Sequence, residues 1–244
     1  MLWSSCRKDF VFSPSTGSLQ FSKDTVFLDT DFTNIGSSTY NLKVYNNSDD
    51  DILIPSLRLA RGDDSNYRLN VDGIEGKRFE NIEVLAEDSL FIFVESTIDI
   101  NNFPNPDGTY LYTDQIQFDG GNNMQEVELV TLVQDAVFIF PDRDNTTKIT
   151  ETLTINLGGE TAEIFGRELL PSELTFTNEK PYVFYGFAGV PSGETLTIEA
   201  GARLHFHENS GIIVSDGASI NVNGAYSSDQ ELLENEVVFE GDRL

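Results

Sequence analysis

The chain has 244 residues, of which 41 are Asp or Glu and 15 are Lys or Arg, so its formal net charge at pH 7 is −26. This charge repels nucleic acid phosphates and anionic lipid head groups, so we expect no nucleic acid partner. Hydrophobic residues make up 39% of the chain and include 18 Phe and 8 Tyr, which suffices for folded cores, while no apolar run approaches the roughly 18 residues of a membrane-spanning helix.

The single cysteine, Cys6, follows two serines and the bulky apolar residues Leu2 and Trp3. This pattern resembles the lipobox at which bacterial lipoproteins are cleaved and acylated, and the resemblance implies that Cys6 carries a lipid. Only five residues precede Cys6, fewer than the about 15–30 of a signal peptide, so this interpretation expects a start further upstream. The alternative is a buried or free cysteine. One cysteine excludes an intrachain disulfide and a multi-cysteine zinc site.

Residues 1–17 are interpreted as a lipobox remnant and a short tether that contains prolines and serines. Within it, the pair Lys8-Asp9 is similar to the signal that exports lipoproteins of Bacteroidota to the outer face of the outer membrane. The resemblance implies a lipid anchor in the outer membrane and exposure at the cell surface, where the partners to expect are surface proteins or glycans.

Residues 18–135 show a pattern of short strands separated by clusters of Gly, Asn, Asp and Ser. No apolar helical periodicity is present, which predicts a low helix content. Strands at this spacing are typical of an antiparallel β-sandwich. The predicted strands are residues 19–21, 26–28, 40–45, 52–54, 67–71, 79–84, 90–94, 110–118 and 127–133.

Two segments of this region, residues 21–26 and residues 36–47, resemble immunoglobulin-like domains of the ASH/Hydin type, which also occur in bacterial surface proteins. The resemblance implies a binding or spacer module that carries no chemistry.

Residues 136–180 are interpreted as a junction that forms the cap of the domain that follows. Strands are predicted at residues 137–140 and 153–157, with a polar loop between them and a turn at Gly158-Gly159. The alternative is a linker, but the apolar content is too high for one.

The end of the chain contains a repeat. Residues 198–206 are echoed by residues 214–222 at a period of 16, and a third copy begins at Val238, after the polar segment 225–236, which can hold an eight-residue insertion. A short fixed period with a glycine at each corner predicts a stacked β-solenoid, with antiparallel hairpins as the alternative. Alternation directs Leu204, Phe206, Ile220 and Val222 inward and directs His205, His207, Asn221 and Asn223 to solvent.

Residues 181–244 resemble the first coils of right-handed parallel β-helix lipoproteins of Bacteroidota. Such proteins continue for many more coils, so the resemblance implies that this sequence is an N-terminal fragment. The predicted fold class is therefore all-β, with an antiparallel immunoglobulin-like β-sandwich followed by the cap and first coils of a parallel β-helix.

Two kinds of metal site are conceivable from the residue types. The pair His205 and His207 lies on one strand face at a spacing that could hold a metal, but no third ligand follows from the spacing, and solvated histidines are the favoured interpretation. Acid-rich loops at residues 47–51, 62–64 and 105–108 offer oxygen ligands for calcium without the spacing of a helix-loop-helix site. Solvated turns are favoured there, with calcium as the alternative, and we expect no other cofactor.

Short motifs add candidates for modification. Thr25 and Ser89 match the acceptor pattern Asp-Ser/Thr-apolar, similar to O-glycosylation sites in exported proteins of Bacteroidota. Arg61-Gly62-Asp63 spells an adhesion tripeptide, to which a three-residue match gives no functional weight.

Catalytic motifs such as a Gly-x-Ser-x-Gly elbow, a phosphate-binding glycine loop and an HExxH helix are absent from the sequence. The favoured function is therefore a non-enzymatic surface lipoprotein that serves as a binding or assembly module. The alternative is the N-terminal part of a carbohydrate-active β-helix protein, a polysaccharide lyase or hydrolase whose catalytic coils lie beyond Leu244.

Overall fold

The computed structural model describes residues 11–103, 108–156 and 158–242. The chain forms two compact units, Met1–Gln134 and Asp135–Leu244. Strands and four short 3-10 helices make up the regular structure of the described residues, and none of these residues belongs to a helix that could span a bilayer. The predicted all-β class is confirmed.

The first unit contains two sheets. The strands are β1 (Ser13–Pro14), β2 (Gln20–Phe21), β3 (Thr25–Phe32), β4 (Tyr40–Tyr45), β5 (Ile52–Leu59), β6 (Tyr67–Val71), β7 (Ile74–Gly76), β8 (Arg78–Val84), β9 (Ser89–Ser96), β10 (Thr109–Phe118) and β11 (Gln125–Gln134). In one sheet the strand order is β1-β5-β10-β11-β3, with β8 also paired to β5, and in the other it is β2-β4-β9-β6-β7. Antiparallel pairing dominates, with parallel pairs only at β1-β5 and β11-β3 among the described residues.

One hydrophobic cluster joins the two sheets of this unit. It contains alternate residues of strands from both sheets, for example Leu42 and Ile92 from the five-stranded sheet and Leu57 and Leu129 from the six-stranded sheet. Each sheet therefore buries one face against the other, which is consistent with the predicted β-sandwich.

A buried tyrosine connects the sheets through a polar contact. The Tyr67 hydroxyl lies 2.9 Å from Thr131 Oγ1 and 3.1 Å from the carbonyl oxygen of Tyr112. Burial raises the pKa of Tyr67 above its ordinary value, so the hydroxyl stays protonated and donates. Tyr67 is the first residue of β6, and its contact positions this end of the strand. The next residue, Arg68, points to the opposite, exposed face of the sheet.

The second unit contains three sheets of parallel strands. The strands are β12 (Val137–Ile139), β13 (Thr152–Asn156), β14 (Thr161–Glu168), β15 (Thr175–Phe176), β16 (Tyr182–Phe184), β17 (Phe187–Val190), β18 (Thr195–Ile198), β19 (Arg203–Phe206), β20 (Gly211–Val214), β21 (Ser219–Val222) and β22 (Val238–Gly241). The sheet orders are β12-β16-β19-β22, β14-β17-β20 and β15-β18-β21, with β13 added antiparallel to β14. The chain contributes strands to the three sheets in turn. Residues 136–180 thus supply the first strand of all three sheets.

The predicted repeat period does not describe the stacking. In the parallel register Leu196 pairs with Ile220, Tyr182 with Leu204 and Arg203 with Val238. Each of these steps along the chain is longer than the offset of the sequence echo.

The echo instead aligns two successive strand-turn-strand segments, because both turn at a glycine with positive φ, Gly201 (+80°) and Gly217 (+78°). One circuit is the passage of the chain through all three sheets, and hydrogen-bonded neighbours are one circuit apart in the chain. The 16-residue offset of the sequence repeat covers only part of a circuit.

The core of the second unit includes a column of aromatic rings. Phe184 and Phe206 are in register, with ring centroids 4.7 Å apart, and the Phe206 ring centroid lies 6.2 Å from that of Phe239. Leu204 is buried and Phe206 packs against the core, as predicted from alternation.

Other facing assignments in this unit need correction. Ile220 and Val222 lie in register with the buried Leu196 and Ile198 but are exposed, because no other described strand covers the far edge of β21. The His205 side chain, predicted to face solvent, is only 14% exposed.

We predict that Phe206→Ala lowers the free energy of unfolding by about 3 kcal/mol, because it leaves a cavity in the ring column. Asn221→Ala, on an exposed position of β21, is the control and should change it by less than about 0.5 kcal/mol. Denaturant titrations followed by circular dichroism measure both, and equal effects would contradict the inward assignment of Phe206.

Candidate functional site

The outer face of the five-stranded sheet carries exposed aromatic side chains at its centre. In β9, alternation buries Leu90, Ile92 and Val94 and directs Phe91 and Phe93 outward, where they are 47% and 42% exposed. Large exposed aromatic residues on a central strand are informative, because the outer face of such a sheet is normally polar. We call this surface the β9 face and define it by Thr39, Lys43, Tyr45, Arg68, Asn70, Glu75, Phe91, Phe93 and Glu95.

The two phenylalanine rings are nearly parallel. Their centroids lie 6.3 Å apart, with 14° between the ring planes. Lys43 lies opposite Phe91 in the register, and its Nζ is 5.2 Å from the Phe91 ring and 5.1 Å from the Tyr45 ring. These cation–π contacts hold the ammonium group at one end of the aromatic pair.

A cleft of about 170 Å³ lies beside Phe93. Asn70 is opposite Phe93 in the register, and Glu75 is opposite Asn70 on the next strand. One wall is therefore aromatic and the others carry amide, carboxylate, guanidinium and hydroxyl groups. The cleft is lined by Thr39, Arg68, Leu69, Asn70, Glu75, Phe93 and Glu95.

A hydrogen-bond network fixes the polar side of this cleft. Thr39 Oγ1 donates to Glu95 Oε1 at 2.5 Å, and Arg68 Nη2 lies 3.3 Å from Glu95 Oε2. Arg68 Nη1 also donates to Thr97 Oγ1 at 2.8 Å. The hydrogen bond from Thr39 lowers the pKa of Glu95, with a further contribution from Arg68 and against a smaller opposing effect of burial. Glu95 is therefore ionised at neutral pH.

The predicted lipidation site, Cys6, lies outside the described residues. The two predicted glycosylation sites are the first residues of strands: Thr25 pairs with Glu128, and Ser89 pairs with Tyr45 at one end of the β9 face. Both are half-buried. Their modification stays a prediction.

The two histidines each contact one acid of the neighbouring strand or its end. His205 Nδ1 lies 3.4 Å from Glu240 Oε1, and His207 Nδ1 lies 2.8 Å from Asp242 Oδ2. The His207 ring also stacks on Tyr185, with centroids 4.4 Å apart. In the part of the chain that the structure describes, no group of three or more His, Cys, Asp or Glu side chains is arranged to hold a metal ion.

The loops considered for calcium have other partners. The Asn46 amide donates to the carbonyl oxygens of Asp50 (2.9 Å) and Leu85 (2.9 Å), and Asp51 Oδ1 accepts from the Ala86 N–H (2.9 Å). In the loop at residues 62–64, a short 3-10 helix, Asp63 forms an exposed ion pair with Arg78 at 3.4 Å. The segment 105–107 lies outside the described residues.

The second unit has a larger groove, of about 800 Å³, beside strand β13. Its side chains include Asp142, Glu151 and Arg167. Arg167 makes two hydrogen bonds of 2.7 Å to the Glu173 carboxylate, which raise the pKa of Arg167 and lower that of Glu173. Its Nε and Nη1 also donate to the carbonyl oxygens of Phe140 and Glu168. The Arg167 guanidinium therefore stabilises the fold, and its hydrogen bonds to Glu173, Phe140 and Glu168 leave it poorly placed to bind a substrate carboxylate.

Comparison with protein-family models gave no match, and neither did comparison with curated proteins. Among solved structures, the chain is similar to the ASH/PapD-like domain 7 of human CEP192, with 12% identity over 55% of this chain and 96% of that one (TM-score 0.29). It is also similar to the Escherichia coli chaperone DraB, with 13% identity over 63% and 71% (TM-score 0.31). A third is the major pilin subunit BcpA of Bacillus cereus, with 12% identity over 59% and 52% (TM-score 0.27). All three TM-scores lie below 0.5, so these similarities support no conclusion about the superfamily, the ligands or the activity of this chain.

We predict that Thr39→Val raises the pKa of Glu95 toward its ordinary value of about 4.3, because the carboxylate loses a hydrogen-bond donor. Since the folded pKa of Glu95 is lowered, its stabilising contribution is present above about pH 4.3 and is lost as the pH falls through the folded pKa. Carboxyl NMR titration of both proteins measures the shift. An unchanged Glu95 pKa in the variant would contradict the network.

A second prediction concerns His205. Burial lowers its pKa, opposed by Glu240 and Asp242 and aided by Arg203. The unfolded chain therefore binds the proton first, so the free energy of unfolding should fall as the pH decreases below about 6.5. His205→Asn should make this fall smaller. Unfolding curves of both proteins between about pH 7.5 and 5.5 measure it, and parallel pH profiles would contradict the lowered pKa of His205.

Proposed function

We propose that this protein is a non-enzymatic binding module that a lipid on Cys6 displays at the outer surface of the outer membrane. The observation that carries the binding role is the β9 face: two exposed, nearly parallel phenylalanines beside a polar cleft on a central strand. Exposed aromatic groups with convergent polar neighbours are the features of a recognition surface.

We also infer the finer fold of both units. For the first unit, the ASH/Hydin type rests on residues 21–26 and 36–47. For the second unit, a parallel β-helix is supported by strands that return in register to the same three sheets after each circuit. Part of the predicted tether, residues 13 and 14, instead forms β1, which pairs with β5. Because Cys6 lies shortly before β1 in the chain, the first unit is the one to which the lipid on Cys6 would be joined.

The anchor is tested by Cys6→Ser. Residues 2–244 are placed behind the hydrophobic segment of a lipoprotein signal peptide and expressed in a bacterium of the Bacteroidota. We expect the unaltered protein to incorporate labelled palmitate, to sediment with membranes and to be cleaved by protease added to intact cells. Cys6→Ser should abolish labelling and sedimentation because it removes the thiol that is acylated.

Ser5→Ala is the matched control, because it keeps a small residue before the thiol. It should behave as the unaltered protein does. Equal sedimentation of Cys6→Ser and Ser5→Ala would refute the lipid anchor, and protection of the anchored protein from added protease would refute surface display.

A further inference from the structure

We infer that the β9 face binds a neutral saccharide, with one sugar ring stacked on Phe93 and its hydroxyls bound by the polar groups of the adjacent cleft. This inference rests on the proposed binding role of the same face and adds the chemical class of the ligand.

The composition of the cleft matches the two kinds of surface on a sugar ring. A pyranose presents C–H groups on its faces and hydroxyls around its rim. The exposed Phe93 ring can contact the C–H groups. Asn70 lies beside Phe93 on the neighbouring strand, and Glu75 lies beside Asn70 on the strand after that. The Asn70 amide oxygen already accepts from the Gly73 N–H at 3.0 Å, so the amide NH₂ supplies the donors and the Glu75 carboxylate supplies acceptors. Together they suit hydroxyl groups, which both donate and accept.

The size of the cleft also favours a small ring. Its volume is about 170 Å³. Sites for drug-sized ligands have larger volumes, of about 300 Å³ or more. Phe91 extends the aromatic surface along β9, and the Lys43 ammonium closes that end over Phe91 and Tyr45. The face therefore offers one position for a sugar ring, in the cleft beside Phe93.

The cleft is organised before a ligand arrives. Glu95 is held by Thr39 and Arg68, and Arg68 is held in turn by Thr97. Side chains that are already ordered lose less conformational entropy on binding than mobile ones do. This matters for a saccharide, whose hydroxyls give up strong hydrogen bonds to water when they bind.

Charge and desolvation disfavour other occupants. A net charge of −26 and the carboxylates of Glu75 and Glu95 repel acidic polysaccharides and other polyanions. An apolar side chain of a protein partner would bury the Glu75 carboxylate without offering it a hydrogen bond, which is costly. A cationic peptide is the remaining competitor, and it differs from a neutral saccharide in the salt dependence of its binding.

The test is affinity electrophoresis of the full chain in gels that contain neutral glucans, mannans, galactomannans or xylans, followed by calorimetry with the matching oligosaccharides. We expect retention by at least one of these polymers, with an affinity that does not fall as NaCl is raised. Phe93→Ala should weaken binding at least tenfold, and Glu75→Ala should weaken it severalfold.

Phe27→Ala is the matched control, because Phe27 is an exposed phenylalanine (69%) on a strand of the six-stranded sheet. It should bind as the unaltered protein does. Circular dichroism and thermal melting of all three variants check that each is folded, which the exposure of the mutated side chains favours.

Absence of retention by every neutral polymer, or equal weakening by Phe93→Ala and Phe27→Ala, would overturn the saccharide assignment. Salt-sensitive binding of polylysine that Phe93→Ala abolishes, without saccharide binding, would also overturn it but would leave the β9 face as a binding surface. The lipid anchor is tested separately, since Cys6→Ser protein in solution should keep its saccharide affinity.

Discussion

The pairing of β9 between β4 and β6 is the constraint on which the structure of the first unit depends. Because β9 is hydrogen-bonded on both sides and its side chains alternate, Leu90, Ile92 and Val94 must enter the core that both sheets share. Phe91 and Phe93 must then face outward. A shift by one position would exchange the two sets and bury Glu95, so the core itself fixes the aromatic face.

The second unit depends on a different constraint, the return of the chain to the same sheet after one circuit. In-register parallel pairing stacks like side chains, and Phe184 over Phe206 is the clearest case. The turn at Gly201 tolerates no side chain, because a Cβ there would lie 2.5 Å from the carbonyl oxygen of Glu234. Close approach at this corner fixes where the circuit turns.

The sequence was sufficient for the all-β class, for most strand positions and for the core positions of Leu204 and Phe206, since alternation and turn residues are local features. The β9 face was missed because residues 90–94 are apolar without interruption, a pattern typical of a strand buried on both faces. Only pairing shows that the outer neighbours of Phe93 are the polar residues Asn41 and Asn70.

The stacking period was missed because similar glycine turns recur twice within a circuit. The partial burial of His205 follows from tertiary contacts that a strand pattern does not contain.

The central claim is that ligands of this protein bind on the outer side of β9. The most direct measurement is a backbone NMR titration of the full chain with the neutral oligosaccharide that binds best, with every amide of β4, β6, β9 and β13 assigned. The claim predicts chemical shift changes that centre on Phe91, Phe93 and Asn70 and leave the groove beside β13 unchanged. Changes centred on Leu153 and Arg167 in that groove, with none on β9, would contradict it.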